Sequence, residues 1–305
     1  MCLQRWCCCV IGLPTVLQGA CHLSQIEGPD DRAVTAIAFT PDGHLVTANL
    51  DGRVQISDVV DFGRVLRKWQ IPISPPLQPG DTHAVHASEI AVSPDAMRIA
   101  IGDGATGEIF VFDAKTTELQ TTIEKAHGPG LATLYPCINQ LAFVQGGRQL
   151  LSGGHRMTRR ETTSIAHGPT YVQVLEARIW NADSGALVRD LIGVDVAGEG
   201  FMALSPDGEH FVTTDFDAVR FWHIGDSAPR RVVAKLRRMT VAAAFSPDGT
   251  TVAIPRDPGI TLWDARISRR IVREPHGDGV ELRDAITGMN ARATSFAFSR
   301  DRSGL

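Results

Sequence analysis

The chain has 305 residues, of which 43% are hydrophobic and 21% charged. That is enough apolar content for a large core and too little charge for long disorder. A net charge of -4 excludes a strongly basic nucleic-acid binder and a polyacidic tail as whole-chain explanations. No apolar run reaches about 18 residues, so no ordinary transmembrane helix is expected. Domains of about 150 residues would give two, but 29 Gly and 17 Pro against 2 Tyr describe a turn-rich chain, where internal repeats take precedence over length.

Residues 1–22 admit two readings. Cys2, Cys7, Cys8, Cys9 and Cys21 crowd this segment, and Cys137 stands apart. Arg5, an apolar stretch from Trp6 to Leu17 and then Gln18-Gly19-Ala20-Cys21 have the order of a signal peptide. Gly19-Ala20-Cys21 looks like a bacterial lipobox, which would anchor the chain through a lipid on Cys21, although Gln18 and Pro14 depart from that pattern. The other reading is a buried strand, Cys7 to Leu13, with a second strand from Cys21 to Glu27. The first reading implies export, the second a cytoplasmic protein. No Cys-x-x-Cys pair is present, which argues against a zinc or thioredoxin-type site.

From residue 37 onward one phrase recurs. It begins Ile37-Ala38-Phe39-Thr40-Pro41-Asp42-Gly43 and returns at Ile90 to Ala96, Leu141 to Val144, Met202 to Gly208, Ala243 to Gly249 and Phe296 to Asp301. The period is about 50 residues, the range of repeat architectures. The apolar part reads as a short buried strand. Pro presets φ at the first turn corner, Asp bonds the local backbone and Gly takes positive φ. A second strand follows each turn: Leu45 to Thr47, Arg98 to Ile101, Gln149 to Ser152, Phe211 to Thr213 and Val252 to Ile254. A third ends in an aromatic and a polar residue: Val54 to Asp58, Ile109 to Asp113, Arg178 to Asn181, Val219 to His223 and Ile260 to Asp264. A fourth, more polar strand completes each set: Arg64 to Ile71, Glu118 to Ile123, Ala186 to Leu191, Arg230 to Leu236 and Arg269 to Arg273.

Four antiparallel strands per repeat, a Ser-Pro-Asp-Gly turn and a third strand ending in Trp263-Asp264 resemble the WD40 family of β-propellers over roughly residues 23 to 302. Trp180, Trp222 and Phe112 hold the same aromatic position, and Ser57 departs from it. The resemblance implies an all-β, WD40-type propeller over 23–305, with five complete four-stranded blades and an incomplete closing sixth. That blade would join the N-terminal strands to the strand at Phe296; the alternative is that the chain is part of a longer one. It also implies structural roles for Asp51, Asp217 and Asp257 in the turns before third strands, and for Trp180, Trp222 and Trp263. The family's Gly-His pair, part of a hydrogen-bonded tetrad, appears only in reverse order, as His127-Gly128 and His276-Gly277.

Other motifs weaken on inspection. Gly102-Asp103-Gly104-Ala105-Thr106-Gly107 matches a dinucleotide fingerprint by letter, but Glu108 to Phe112 behind it reads as strand where that chemistry needs a helix N-terminus. It is read as a hairpin turn. His83, His86, His127, His155, His167 and His276 fall in connections that the resemblance places on one propeller side; as a metal set they lack converging ligands. The basic set from Arg230 to Arg273 has no aromatic interleaving and reads as a charged, solvated strand edge. No nucleophile elbow, His-Glu-x-x-His or Walker loop is present, so no catalytic residue and no cofactor is assigned.

The third repeat carries the most unusual feature, an insertion from His155 to Glu176 that reads as a long loop. It holds Arg156, Arg159, Arg160, His167 and Tyr171, and a basic loop of this kind suits an acidic peptide or phosphate. The expected function is a non-enzymatic protein–protein interaction scaffold with these five residues at the partner. The alternatives are a ligand- or metal-binding propeller, exported in one version, and a sensor module of a larger chain.

Overall fold

The structure is a computed structural model. It describes residues 34–59, 64–72, 87–128, 138–160, 170–196, 201–214, 218–226, 228–234, 243–255, 260–265 and 269–270. The N-terminal segment 1–22 and the strand expected at Phe296 lie outside the described residues, and so do Asp217, Asp257, His83, His86, His167 and His276.

The described residues are all-β, with one short 3₁₀ turn at Gln145–Gly147. They form five four-stranded antiparallel sheets, each ordered as in sequence. The first sheet is β1 (Val34–Phe39), β2 (Leu45–Asn49), β3 (Arg53–Ser57) and β4 (Val65–Gln70). The second is β5 (Glu89–Val92), β6 (Arg98–Gly102), β7 (Ile109–Asp113) and β8 (Leu119–Ile123). The third is β9 (Ile138–Val144), β10 (Gln149–Arg160), β11 (Thr170–Asn181) and β12 (Leu187–Val196). The fourth is β13 (Phe201–Leu204), β14 (His210–Thr214), β15 (Ala218–His223) and β16 (Arg231–Ala234). The fifth is β17 (Ala244–Phe245), β18 (Thr251–Pro255), β19 (Ile260–Asp264) and β20 (Arg269–Arg270). Apart from β10 and β11, which run eight residues longer than expected, these are the strands expected from the repeat, within a few residues at their ends, and they have the topology of propeller blades.

The chain divides into two compact units, one of residues 17–196 and one of 1–16 with 197–305. The first unit holds three sheets packed face to face. Val46, Val54, Ile56, Ile99, Ile101 and Phe110 form the layer between the first two. Val111, Ile123, Ile138, Leu141, Leu150 and Trp180 form the layer between the second and third. In the other unit Val212, Val219, Phe221, Val252, Ile254 and Trp263 fill the layer between the last two sheets. In the second sheet both faces of the middle strands are covered, Ile99, Ile101 and Phe110 on one side and Ala100, Ile109 and Val111 on the other, so β6 and β7 read as nearly continuous apolar runs.

The repeated turn explains its own composition. Ser93 Oγ–H donates to Asp95 Oδ1 and accepts from the Arg98 N–H at 2.8 Å, while Asp95 Oδ1 also accepts from Met97 N–H at 3.0 Å. The Ser246–Asp248 turn repeats the pattern: Ser246 Oγ donates at 2.6 Å and accepts from Thr251 N–H at 3.0 Å. The Ser93 hydroxyl bond and then the Met97 N–H hold the Asp95 carboxyl below its ordinary pKa. A second polar clamp sits after the third strands of the second and third sheets. Asp113 Oδ1 accepts from Lys115 and Thr116 N–H, both at 2.8 Å, and Asn181 Oδ1 takes the same role for Asp183 and Ser184 at 3.0 and 2.9 Å. The polar residue after the aromatic is therefore the start of an Asx turn that sends the chain into the fourth strand.

Ala96 stands where the other repeats place Gly. Its φ is 58°, beside 92° at Gly43, 70° at Gly208 and 67° at Gly249. A Cβ in this region costs about 1–2 kcal/mol. Ala96→Gly should therefore stabilise the chain by about 1 kcal/mol, read as a higher urea midpoint. Gly102 has a different reason: a Cβ there would meet Ile138 Cγ2 at 2.8 Å, so the absence of a side chain lets β9 approach β6.

Candidate functional site

The third sheet differs from the other four. Elsewhere the second and third strands are five or six residues long, but β10 and β11 each have twelve. They pair without interruption from Gln149↔Asn181 to Arg160↔Thr170. The expected loop at 155–176 is thus a correction: its described part is the continuation of a hairpin. Thr170-Tyr171-Val172-Gln173-Val174 alternates β-branched or aromatic residues with others, a strand composition that a length rule for loops passes over. Among the described residues β9 pairs with β10 as far as Ile138↔Gly154, and β12 follows β11 as far as Val196↔Gln173. The extended part of this hairpin, beyond Gly154, is the arm.

The arm places the candidate contact residues. Arg156 lies opposite Val174, Arg159 opposite Tyr171 and Arg160 opposite Thr170. By strand alternation, Arg156 and Arg160 belong to one face and His155 and Arg159 to the other. The structure brings Arg159 and Tyr171 together as a cross-strand pair.

At the base of the arm sits a buried polar network. His127, Ser152, Glu176 and Trp180 are 1%, 0%, 2% and 6% exposed. Register puts Ser152 opposite Arg178, Gly154 opposite Glu176 and Leu150 opposite Trp180, so Ser152, Glu176, Arg178 and Trp180 share a face. Trp180 Nε1–H donates to Ser152 Oγ at 2.8 Å. Ser152 Oγ lies 2.8 Å from His127 Nε2, and His127 Nδ1 lies 3.3 Å from Glu176 Oε2. Burial, against the opposing pull of Glu176, holds the His127 pKa below its ordinary value. The imidazole is then neutral, and one proton arrangement satisfies every member. Nδ1–H donates to Glu176, and Nε2 accepts from the Ser152 hydroxyl, whose oxygen accepts from Trp180. The charge on Glu176 is met by Arg178, with Nη2 3.2 Å from Oε1. Arg178 Nη1–H also donates to the Ala126 carbonyl, so it ties the segment before His127 to β11.

A sequence model of the WD domain, G-beta repeat, matches residues 20–58. Residues 20–58 thus match one WD40 repeat, and the five four-stranded antiparallel sheets are consistent with WD40 blades. No curated protein matches the chain. The buried chain from Trp180 to Glu176 is built on His127, one of the two histidines found in reversed His-Gly order, and its carboxylate comes from the strand residue Glu176.

The other WD40 positions are more modest. Asp51 is buried; its Oδ1 accepts from Arg53 N–H at 3.3 Å, and its Oδ2 lies 3.2 Å from Arg53 Nε. Trp222 Nε1–H donates to Thr213 Oγ1 at 3.0 Å and its ring stacks on Phe211 at 5.6 Å. Trp263 packs its ring 5.8 Å from Phe221. Sequence reasoning missed two acidic residues. One is Glu176, whose signal was a lone carboxylate inside the apolar run Val174-Leu175-Glu176-Ala177. The other is Asp103, fully buried in the β6–β7 turn, whose Oδ1 accepts from Ala105 and Thr106 N–H at 2.8 and 3.2 Å. Among the described residues no group of three or more His, Cys, Asp or Glu is placed to hold a metal ion. No helix there is long and apolar enough to cross a membrane.

Proposed function

We propose that this chain is a non-enzymatic, WD40-type interaction scaffold whose partner contact is the β10–β11 arm. Arg156, Arg159, Arg160 and Tyr171 carry the contact, and His167 belongs to the same sequence segment. The observation that supports this reading is the length of β10 and β11. Twelve-residue strands exceed what the four-stranded sheet needs, and the buried Trp180–Ser152–His127–Glu176 network fixes their base. A rigid base with a projecting variable element is how repeat scaffolds present a binding surface. Phosphate-like or carboxylate-bearing partners suit three guanidinium groups, which bind such groups bidentately.

The test removes the arm and keeps the network. A variant in which 155–175 are replaced by Asn-Gly keeps Gly154 opposite Glu176, retains Ser152, Glu176 and Trp180, and closes the hairpin with a two-residue turn. Quantitative affinity capture from native cells should lose a reproducible set of proteins with this variant. An unchanged set, from a variant whose melting temperature matches the parent, overturns the reading.

A further inference from the structure

We propose that the buried network at the base of the β10–β11 arm is a proton-operated latch: when His127 takes up a proton, the base opens and the arm releases its partner. This rests on the arm being the partner contact and adds how that contact is regulated.

The latch sits where the arm begins. Gly154 pairs with Ile138 of β9 on one side and with Glu176 of β11 on the other. That rung is the base, and His155↔Leu175 is the first rung of the arm. Both strands of the hairpin are fastened there to one short stretch, Ala126-His127. From β10, Ser152 Oγ–H donates to His127 Nε2 at 2.8 Å. From β11, Glu176 Oε2 accepts from His127 Nδ1–H at 3.3 Å, and Arg178 Nη1–H donates to the Ala126 carbonyl. One imidazole thus holds both strands. The third-sheet residues that fill the layer against the second sheet, Ile138, Leu141, Leu150 and Trp180 among them, lie on the base rung or on the sheet side of it. The arm can therefore open while that layer stays packed.

The fastening requires a neutral ring. With Nε2 as acceptor, the Ser152 hydroxyl donates to it and its oxygen accepts from Trp180 Nε1–H, so every member is satisfied. A proton on Nε2 turns the acceptor into a donor. Ser152 Oγ then faces two donors, and its own hydroxyl proton loses its partner in a fully buried site, which is costly. The cationic ring also has to share Glu176 with Arg178. Among the described charged groups, Glu176 and Asp190 favour the proton and Arg178 opposes it, and burial outweighs the attraction. The closed base therefore resists a proton that the ring accepts once it meets water. Such a group drives opening as pH falls below its ordinary value of 6.5. Between pH 7.5 and 5.5 the open population rises by up to about tenfold.

The test is hydrogen exchange of the full chain at pH 7.5 and 5.5, with each amide rate divided by its intrinsic rate at that pH. Amides of residues 155–157 and 173–175, next to the base, should exchange through an opening more frequent than the one that exposes Ile99 to Ile101 in the second sheet. Their protection should fall by up to about tenfold at the lower pH. His127→Gln removes the titrating group, so its ratio of protection at the two pH values should be close to one. That ratio does not depend on how stable the variant is. Base amides that exchange only together with Ile99 to Ile101 overturn the latch, and so does the same ratio in parent and variant. The proteins that the parent captures and the arm-shortened chain does not are the binding probe. They should leave the parent at pH 5.5 and stay on His127→Gln; release from both overturns the latch. If capture needs the arm but the exchange ratio in the parent is one, the latch falls and the partner reading stands. If capture is independent of the arm, the partner reading falls and takes the release with it.

Discussion

Glu176→Ala should lower the stability of the chain by about 3–5 kcal/mol, the range for removing one partner of a buried charged pair. The loss is read as a fall in the urea denaturation midpoint. The carboxylate is 2% exposed and serves two donors, His127 Nδ1–H and Arg178 Nη2–H. Alanine leaves His127 Nδ1–H without this acceptor and Arg178 with only the Ala126 carbonyl and Asp190, whose Oδ2 lies 3.6 Å from Arg178 Nε, among the contacts described. Glu176→Gln keeps an acceptor for His127 and loses only the charge opposite Arg178, so its cost should be smaller. The same network sets a pH dependence. Because burial holds the His127 pKa below 6.5, the unfolded chain takes up a proton near pH 6.5 that the folded chain refuses. Stability is therefore full above that pH and declines as pH falls through it toward the folded value. The slope contributed is at most about 1.4 kcal/mol per pH unit. His127→Gln should flatten the midpoint between pH 6.5 and 5 relative to the parent. A parallel pair of pH profiles would show that His127 is charged in the folded chain.

The five sheets were legible because their information is local. The Ser-Pro-Asp-Gly turn works by bonds within a few residues: Ser93 and Asp95 close on each other and on Met97 and Arg98. The aromatic at the end of the third strand is visible because it fills a layer between sheets, as Trp180 and Trp263 do. What stayed hidden is held by register over long separations. His127 meets Ser152 and Glu176 from 25 and 49 residues away, and the reversed order His127-Gly128 marks the histidine without naming its partners. The arm was misread as a loop for a related reason. Arg156, Arg159 and Arg160 interrupt the apolar alternation on β10, and only pairing with the more regular β11 shows that they belong to a strand. Interruptions of pattern by charge at 155–160 and at Glu176 are the places where the third repeat departs from the other four. A sequence whose local preferences otherwise agree with its fold tends to break them at functional sites.

Glu89→Gln should stabilise the chain by about 2–4 kcal/mol at pH 8.5 and have little effect at pH 5. Glu89 opens β5 and lies opposite Gly102 in the second sheet. The residue keeps part of its surface, but its carboxyl is set into protein deeply enough that burial raises its pKa to about 8, against a small opposing bond from the Ile90 backbone. The folded chain thus holds a proton that the unfolded chain has already released above the ordinary carboxylate value. Stability contributed by this proton is complete below about pH 4.5 and is lost as pH rises to about 8, where the folded group ionises as well. Glutamine has the shape of the protonated acid and no charge to desolvate, so the variant should match the parent at low pH and exceed it increasingly above neutrality. Thermal midpoints of both proteins from pH 5 to 9 give the comparison. Curves that stay together across the range would mean that Glu89 is ionised and solvated in the folded chain, and that the first turn of β5 is open to water. Curves that diverge toward high pH would place a protonated carboxyl on the strand that lies between β1 and β9, an acid that gives up its proton only as pH approaches about 8.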